Sequence, residues 1–110
     1  MDKILRQCKF SKRHQGYREL RECIRIVLAN EERLLYMTGI YAEVAETFDI
    51  TWSGVERNIR TAFDYAWANG GKKQMEELSG GVFYGKPTIS EVIEVLACYI
   101  KEHPDKFTVS

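Results

Sequence analysis

Proline is scarce in this chain, at two residues in 110, and no apolar run approaches the ~20 residues that span a bilayer. The start MDKILRQCKF also lacks the apolar core of a secretory signal. The expected location is therefore the cytoplasm, with no membrane partner. Cysteine is equally sparse: Cys8, Cys23 and Cys98 are odd in number, far apart and without a C-x-x-C pair or a histidine nearby. That pattern excludes a disulfide framework and a zinc site and leaves three reduced thiols. Cys23 is expected between the core stripe and the surface of its helix, and Cys98 on a helix flank. Neither has the basic neighbour that would make a thiol nucleophilic. His14 and His103 stand alone in flanking segments and are expected at the surface. A phosphate-binding glycine loop, a paired histidine and carboxylate motif and a nucleophile elbow are all missing. An enzyme is not expected, and neither is a cofactor. The dipeptide Gly80-Gly81 is too weak a signal for nucleotide binding.

Net charge is absent too, since 16 Lys and Arg balance 16 Asp and Glu. Zero net charge argues for weak nonspecific binding to nucleic acid. The distribution is uneven, however. Residues 1–28 hold eight basic side chains (Lys3, Arg6, Lys9, Lys12, Arg13, Arg18, Arg21, Arg25) against Asp2, Glu19 and Glu22, which is +5, and the remainder carries −5. Screening limits each charge to roughly 10 Å of reach at moderate salt, so such a split gives one face able to approach phosphates and another turned away. A solvated basic helix is the plainer alternative.

What the chain does have is helical periodicity and one domain's length of it. A short helix is expected over residues 2–11. Gly16 then precedes a second, with Tyr17, Leu20, Ile24, Val27 and Leu28 as its apolar stripe. Residues 31–38 read as a connection with some helical character. Asn69, Gly70 and Gly71 stop a later helix, a short one is expected over 72–78, and GGVFYGKPT excludes helix in favour of a brief hairpin or an ordered loop. Thr88 or Ser90 caps a last helix whose Val92, Ile93, Leu96, Ala97 and Ile100 point inward, closing before Pro104. The tail DKFTVS is expected to fray.

The most informative stretch is YAEVAETFDITWSGVERNIRTAFDYAW, from Tyr41 to Trp67. It reads as a helix-turn-helix, with a first helix over about 40–48 and a second over about 52–69. Val55, Ile59, Ala62, Phe63 and Ala66 make the inner face of the second helix. Glu56, Arg57, Arg60, Thr61 and Asp64 face solvent, and the early part of such a helix is what meets base edges in the major groove. The small Ala45 lets the helices cross closely. Ser53 with Glu56 fits a capping box, and Thr51 is an equally good cap. The usual turn glycine is missing; Asp49 stands there.

The order of segments adds a resemblance. GYRELRECI, IYAEVAETFDITWSGVERNIRTAFDYAWANGG and KPTISEVIEVL are similar to the C-terminal effector domain of the stage-zero sporulation master response regulator, over about residues 16–102. Its most specific elements are Val55, Glu56, Arg57, Ile59, Arg60, Ala66 and Trp67, and Lys86 to Glu91. The resemblance implies an all-α domain of about six helices around the central helix-turn-helix. It also implies binding to double-stranded DNA at TGTCGAA-type boxes, with copies able to line up in tandem. By position, Glu56 and Arg57 would contact bases, Ser53 and Arg60 bases or nearby phosphates, and Thr51 and Lys86 phosphates. The chemistry agrees, because Arg donates twice to guanine and Glu accepts from cytosine N4.

Two departures qualify this. Gly54 stands where the family has a base-contacting arginine, and Trp52 replaces a small turn residue, where packing over the motif is the default. Altered or relaxed sequence preference is expected. Moreover, the regulator has a phosphoacceptor receiver, for which 110 residues leave no room if the chain is complete. An autonomous regulator, a homodimer, a competitor in heterodimer with a full-length regulator and an excised fragment all remain open. The rival class is a protein-interaction module anchored by Trp52 and exposed tyrosines such as Tyr41 or Tyr84.

Overall fold

The computed structural model describes residues 1–104, in which six α-helical segments and no strand occur. They are α1 (Asp2–Gln7), α2 (Gln15–Ala29), α3 (Met37–Phe48), α4 (Trp52–Ala66), α5 (Lys72–Ser79) and α6 (Ile89–Glu102). A 3-10 turn, Glu31–Leu35, joins α2 to α3, and a wide turn, Trp67–Gly71, runs directly from α4 into α5. Taken as one kinked element, α4 and α5 would make the count five. The tail DKFTVS lies outside the described residues.

Several boundaries differ from expectation for identifiable reasons. The first helix ends at Gln7 rather than 11 because Lys9 adopts a left-handed backbone, φ 72°. The Lys9 N–H then bonds to the Arg6 carbonyl at 3.0 Å and the Phe10 N–H to that of Leu5 at 3.0 Å, a Schellman stop with Phe10 buried behind it. The third helix starts at Met37, before Gly39, because the Tyr36 carbonyl already accepts from Gly39 and Ile40 at 3.0 and 3.3 Å. The fourth runs to Ala66 and continues as a wide turn to the expected stop. There Asn69 and Gly70 leave helical geometry, with Gly70 at φ 101°, and Asn69 Nδ2 donates to the Tyr65 carbonyl at 2.7 Å. Residues 80–88 form no hairpin. They are an ordered loop, tied by the Phe83 N–H to Glu76 Oε2 at 2.8 Å and by the Phe83 ring against Trp67 at 5.9 Å.

The core is built from the stripes the periodicity marked out. Tyr17, Leu20, Ile24 and Val27 of α2 meet Val55, Ile59, Ala62, Phe63 and Ala66 of α4, with Val92, Ile93, Leu96, Ala97 and Ile100 of α6 closing the far side. Thr88 caps α6 in a full capping box with Glu91. Burial of this apolar surface is the main favourable term.

The closest approach is between α2 and α4. A Cβ on Gly16 would lie 2.1 Å from the Asn58 carbonyl oxygen, so any side chain there forces the two backbones apart. One turn further on, Glu19 is 0% exposed, and both its oxygens accept from Asn58 Nδ2, at 3.2 and 3.3 Å. Burial pushes its carboxyl above the ordinary range, opposed by Asn58 and by Arg18.

Both features of the crossing are testable. Gly16→Ala should lower stability by about 1–3 kcal/mol or more, the cost of overpacking, read as a fall in the urea midpoint; an unchanged midpoint would contradict the close crossing. For Glu19, the folded state holds its proton to a higher pH than the unfolded chain does, so ionisation costs stability as pH rises above 4.5, the ordinary value. Glu19→Gln should therefore raise the midpoint at pH 7, with the gain shrinking as pH falls toward that value. A gain independent of pH would show that charge is not the cause.

Candidate nucleic-acid interface

The presentation of α4 begins where α3 ends. Asp49 takes the left-handed conformation, φ 56° and ψ 49°, that glycine would otherwise supply. Its N–H reaches the Glu46 carbonyl at 3.4 Å, and that of Ile50 reaches Ala45 at 3.0 Å. The chain then extends through Thr51, φ −78° and ψ 155°, whose Oγ1 accepts from the Gly54 N–H at 3.1 Å. Thr51 is thus the cap, and Ser53 is not. With Trp52 already helical, Ser53 sits inside the first turn, where its hydroxyl lies 3.3 Å from that of Thr51 and cannot close a box with Glu56.

Beyond the cap, α4 turns Ser53, Arg57, Arg60, Thr61 and Asp64 to solvent, while Glu56 is half-buried. Arg57 forms no ion pair with any described residue. Arg60 Nη2 lies 3.9 Å from Glu56 Oε1, in a pair that solvent reaches from both sides. Such a pair contributes about 0–1 kcal/mol, so it opens easily toward another partner. Lys86 comes from the loop before α6, pairs with Asp64 and lies 5.4 Å from the centre of the Phe63 ring. Of the six candidate residues, Thr51, Ser53, Glu56, Arg57 and Arg60 thus share α4 and its cap, while Lys86 meets the same helix further along, at Asp64, across 22 positions of sequence.

Asp64 was legible as a solvent-facing residue but not as the group that anchors Lys86. No local pattern links residues so far apart. Asn58 and its hold on Glu19 were missed for the same reason. Tyr41 is corrected: it is 6% exposed, on the inner face of α3 with Ile40, Val44 and Ala45. Burial, then Cys23 and Glu56, push its phenol up to about 12, against the pull of Arg60. It cannot anchor a partner. Trp52 is 50% exposed, so it does not pack fully over the motif, and Tyr84 is wholly exposed.

Cys23 is corrected as well. It is fully buried rather than marginal, and burial pushes its thiol, like that of Cys8, up to about 12. Cys98 is exposed on α6, its thiol donating to Glu102 Oε1 at 3.4 Å. His14 is half-buried rather than superficial, its ring edge-on to Tyr65 at 4.9 Å.

An exposed helix face carrying an unpaired arginine and a loosely paired one, set on a capped turn, can donate to base edges and phosphates. No described helix is long and apolar enough to cross a membrane. Comparison with protein-family models agrees with this geometry: residues 1–100 match the model described as the sporulation initiation factor Spo0A C terminal, a match that starts earlier than Gly16 and takes in α1. The chain belongs to the Spo0A C-terminal family, a family of DNA-binding effector domains of sporulation regulators and not of enzymes.

Proposed function

We propose that this chain reads a short DNA box of the TGTCGAA type by placing the first turns of α4 in the major groove. Arg57 donates two hydrogen bonds to a guanine, and Glu56 accepts from a cytosine N4. Ser53 and Arg60 contact bases or adjoining phosphates, and Thr51 and Lys86 hold phosphates. The observation that carries this reading is Arg57 itself, exposed near the helix start and unpaired among the described residues. Glu56 and Arg60 are poised to exchange their weak mutual contact for groups on DNA.

Gly54 alters the preference. Its N–H is held by Thr51, and a Cβ there would sit 3.1 Å from Thr51 Oγ1 and 4.0 Å from Ile50 Cδ1. Gly54 is buried, and a Cβ there fits with a shift of a few tenths of an ångström in the Thr51 hydroxyl. Without a side chain at this position, the box is read with one guanine contact fewer. Copies of the domain bind as a homodimer or in tandem on repeated boxes, and the same surface would let the chain compete with a full-length regulator for sites.

A second reading, a protein-interaction module, loses Tyr41, which is buried, and keeps Trp52 and Tyr84 as exposed anchors beside Leu35, Tyr36 and Val82. Titration against a box duplex and a scrambled duplex at several salt concentrations separates the two. The wild type should prefer the box, and Arg57→Ala should abolish the preference, a loss of about 1–3 kcal/mol. Equal, feeble affinity for both duplexes would favour the interaction module. Gly54→Arg should sharpen discrimination for the box by a comparable amount; an unchanged ratio would mean that position 54 does not face a base.

A further inference from the structure

Four cations converge on one open groove of about 520 Å³, lined by Arg6, Lys9, Phe10, Lys12, Arg13 and, from the end of α4, Tyr65 with its neighbour Asn69. The chain as a whole is neutral, so this density of positive charge is a local feature. Little of it is spent internally. Asp2 is the nearby carboxylate, and it is already committed to the Tyr17 hydroxyl at 2.8 Å and to Arg21 at 3.0 Å, leaving Lys12 a loose contact at 3.9 Å. Among the described residues, the Arg13 side chain reaches the Ser11 hydroxyl, through Nε at 3.5 Å, and no carboxylate. Arg6 and Lys9 have no ion pair among the described residues. The left-handed turn at Lys9 and the packing of His14 on Tyr65 hold the groove's two walls in place.

Its position relative to α4 identifies the ligand chemistry. At about 100° of rotation per residue, Tyr65 lies about 80° round the helix from Arg57, and Asn69 follows it in the turn beyond the end of α4. Lys86 lies over Asp64 and Phe63, on the other flank. A helix seated in a major groove ~12 Å wide has a phosphate backbone along each side. One flank of α4 thus carries Lys86, and the other carries the four-cation groove.

We infer that this groove binds the phosphodiester backbone of the strand opposite the one that Lys86 meets, so that both walls of the major groove are clamped. The inference rests on the major-groove reading above. Backbone contacts of this kind position the domain without reading sequence. The groove should therefore add affinity equally to every duplex and leave the box preference to α4.

The test compares wild type with the triple variant Lys9→Ala, Lys12→Ala, Arg13→Ala. These side chains lie outside the core, and thermal midpoints check that folding is kept. Affinity for box and scrambled duplexes should fall by the same factor, at least tenfold, and the slope of log affinity against log salt should flatten by about 0.9 for each phosphate that is no longer neutralised. Phosphate ethylation interference should disappear along one strand, and along the other in Lys86→Ala. A charge-matched control removes Arg25, Arg33 and Lys101, each paired to a glutamate elsewhere in the fold, and should change the slope less. An unchanged slope in the triple variant, or an equal change in the control, overturns the inference. So does saturation of the groove by inorganic phosphate with no effect of the triple variant on duplex binding. A wild type that cannot separate box from scrambled duplex sinks the major-groove reading and the groove with it; a wild type that does, beside an unchanged slope, sinks the groove alone.

Discussion

The near-contact of two backbones, at Gly16 and Asn58, sets where everything else lies. It brings α2 against α4 with no side chain between them, and so determines which side of α4 is inner and which is outer. Val55, Ile59, Ala62 and Phe63 fill the remainder of the seam, and Glu19 grips Asn58 beside the crossing. A carboxylate at 0% exposure with one amide as its hydrogen-bonding partner is a poor source of stability. It is a good source of register, because sliding or rotating α4 by one residue would strand it. The reading face is thus placed by α2 as firmly as by α3.

Most of the fold was legible because its helices are amphipathic and end in recognisable chemistry. The stripes of α2, α4 and α6 went inward as their spacing required, and of the two expected caps, Thr88 and Ser90, it is Thr88 that starts α6. What was not legible depends on hydrogen bonds at chain reversals. Lys9 ended α1 early although it is not glycine, and a single sequence shows no preference of that kind. The choice of Thr51 over Ser53 hung on where Ile50 was pinned, which is a contact to Ala45 rather than a property of either hydroxyl.

The site divides in the same way. Arg57 and Arg60 were placed on the outer face by periodicity alone. The tie between Lys86 and Asp64 and the inward turn of Tyr41 are tertiary facts, invisible in local pattern. Membership of the Spo0A C-terminal family, shown over residues 1–100, supplies the general task of binding DNA.

Asp49 has one more consequence. A left-handed aspartate is mildly strained when folded, yet it loses less backbone freedom on folding than glycine would. The joint between α3 and α4 is therefore a stiff elbow, clasped by two backbone hydrogen bonds at 3.4 and 3.0 Å and by the Thr51 cap beyond it. A stiff elbow is preorganised: little conformational entropy remains to be surrendered on docking, so a larger share of the contact energy appears as affinity. An effector domain with no net charge to lend it general attraction for DNA gains most from arriving already in shape.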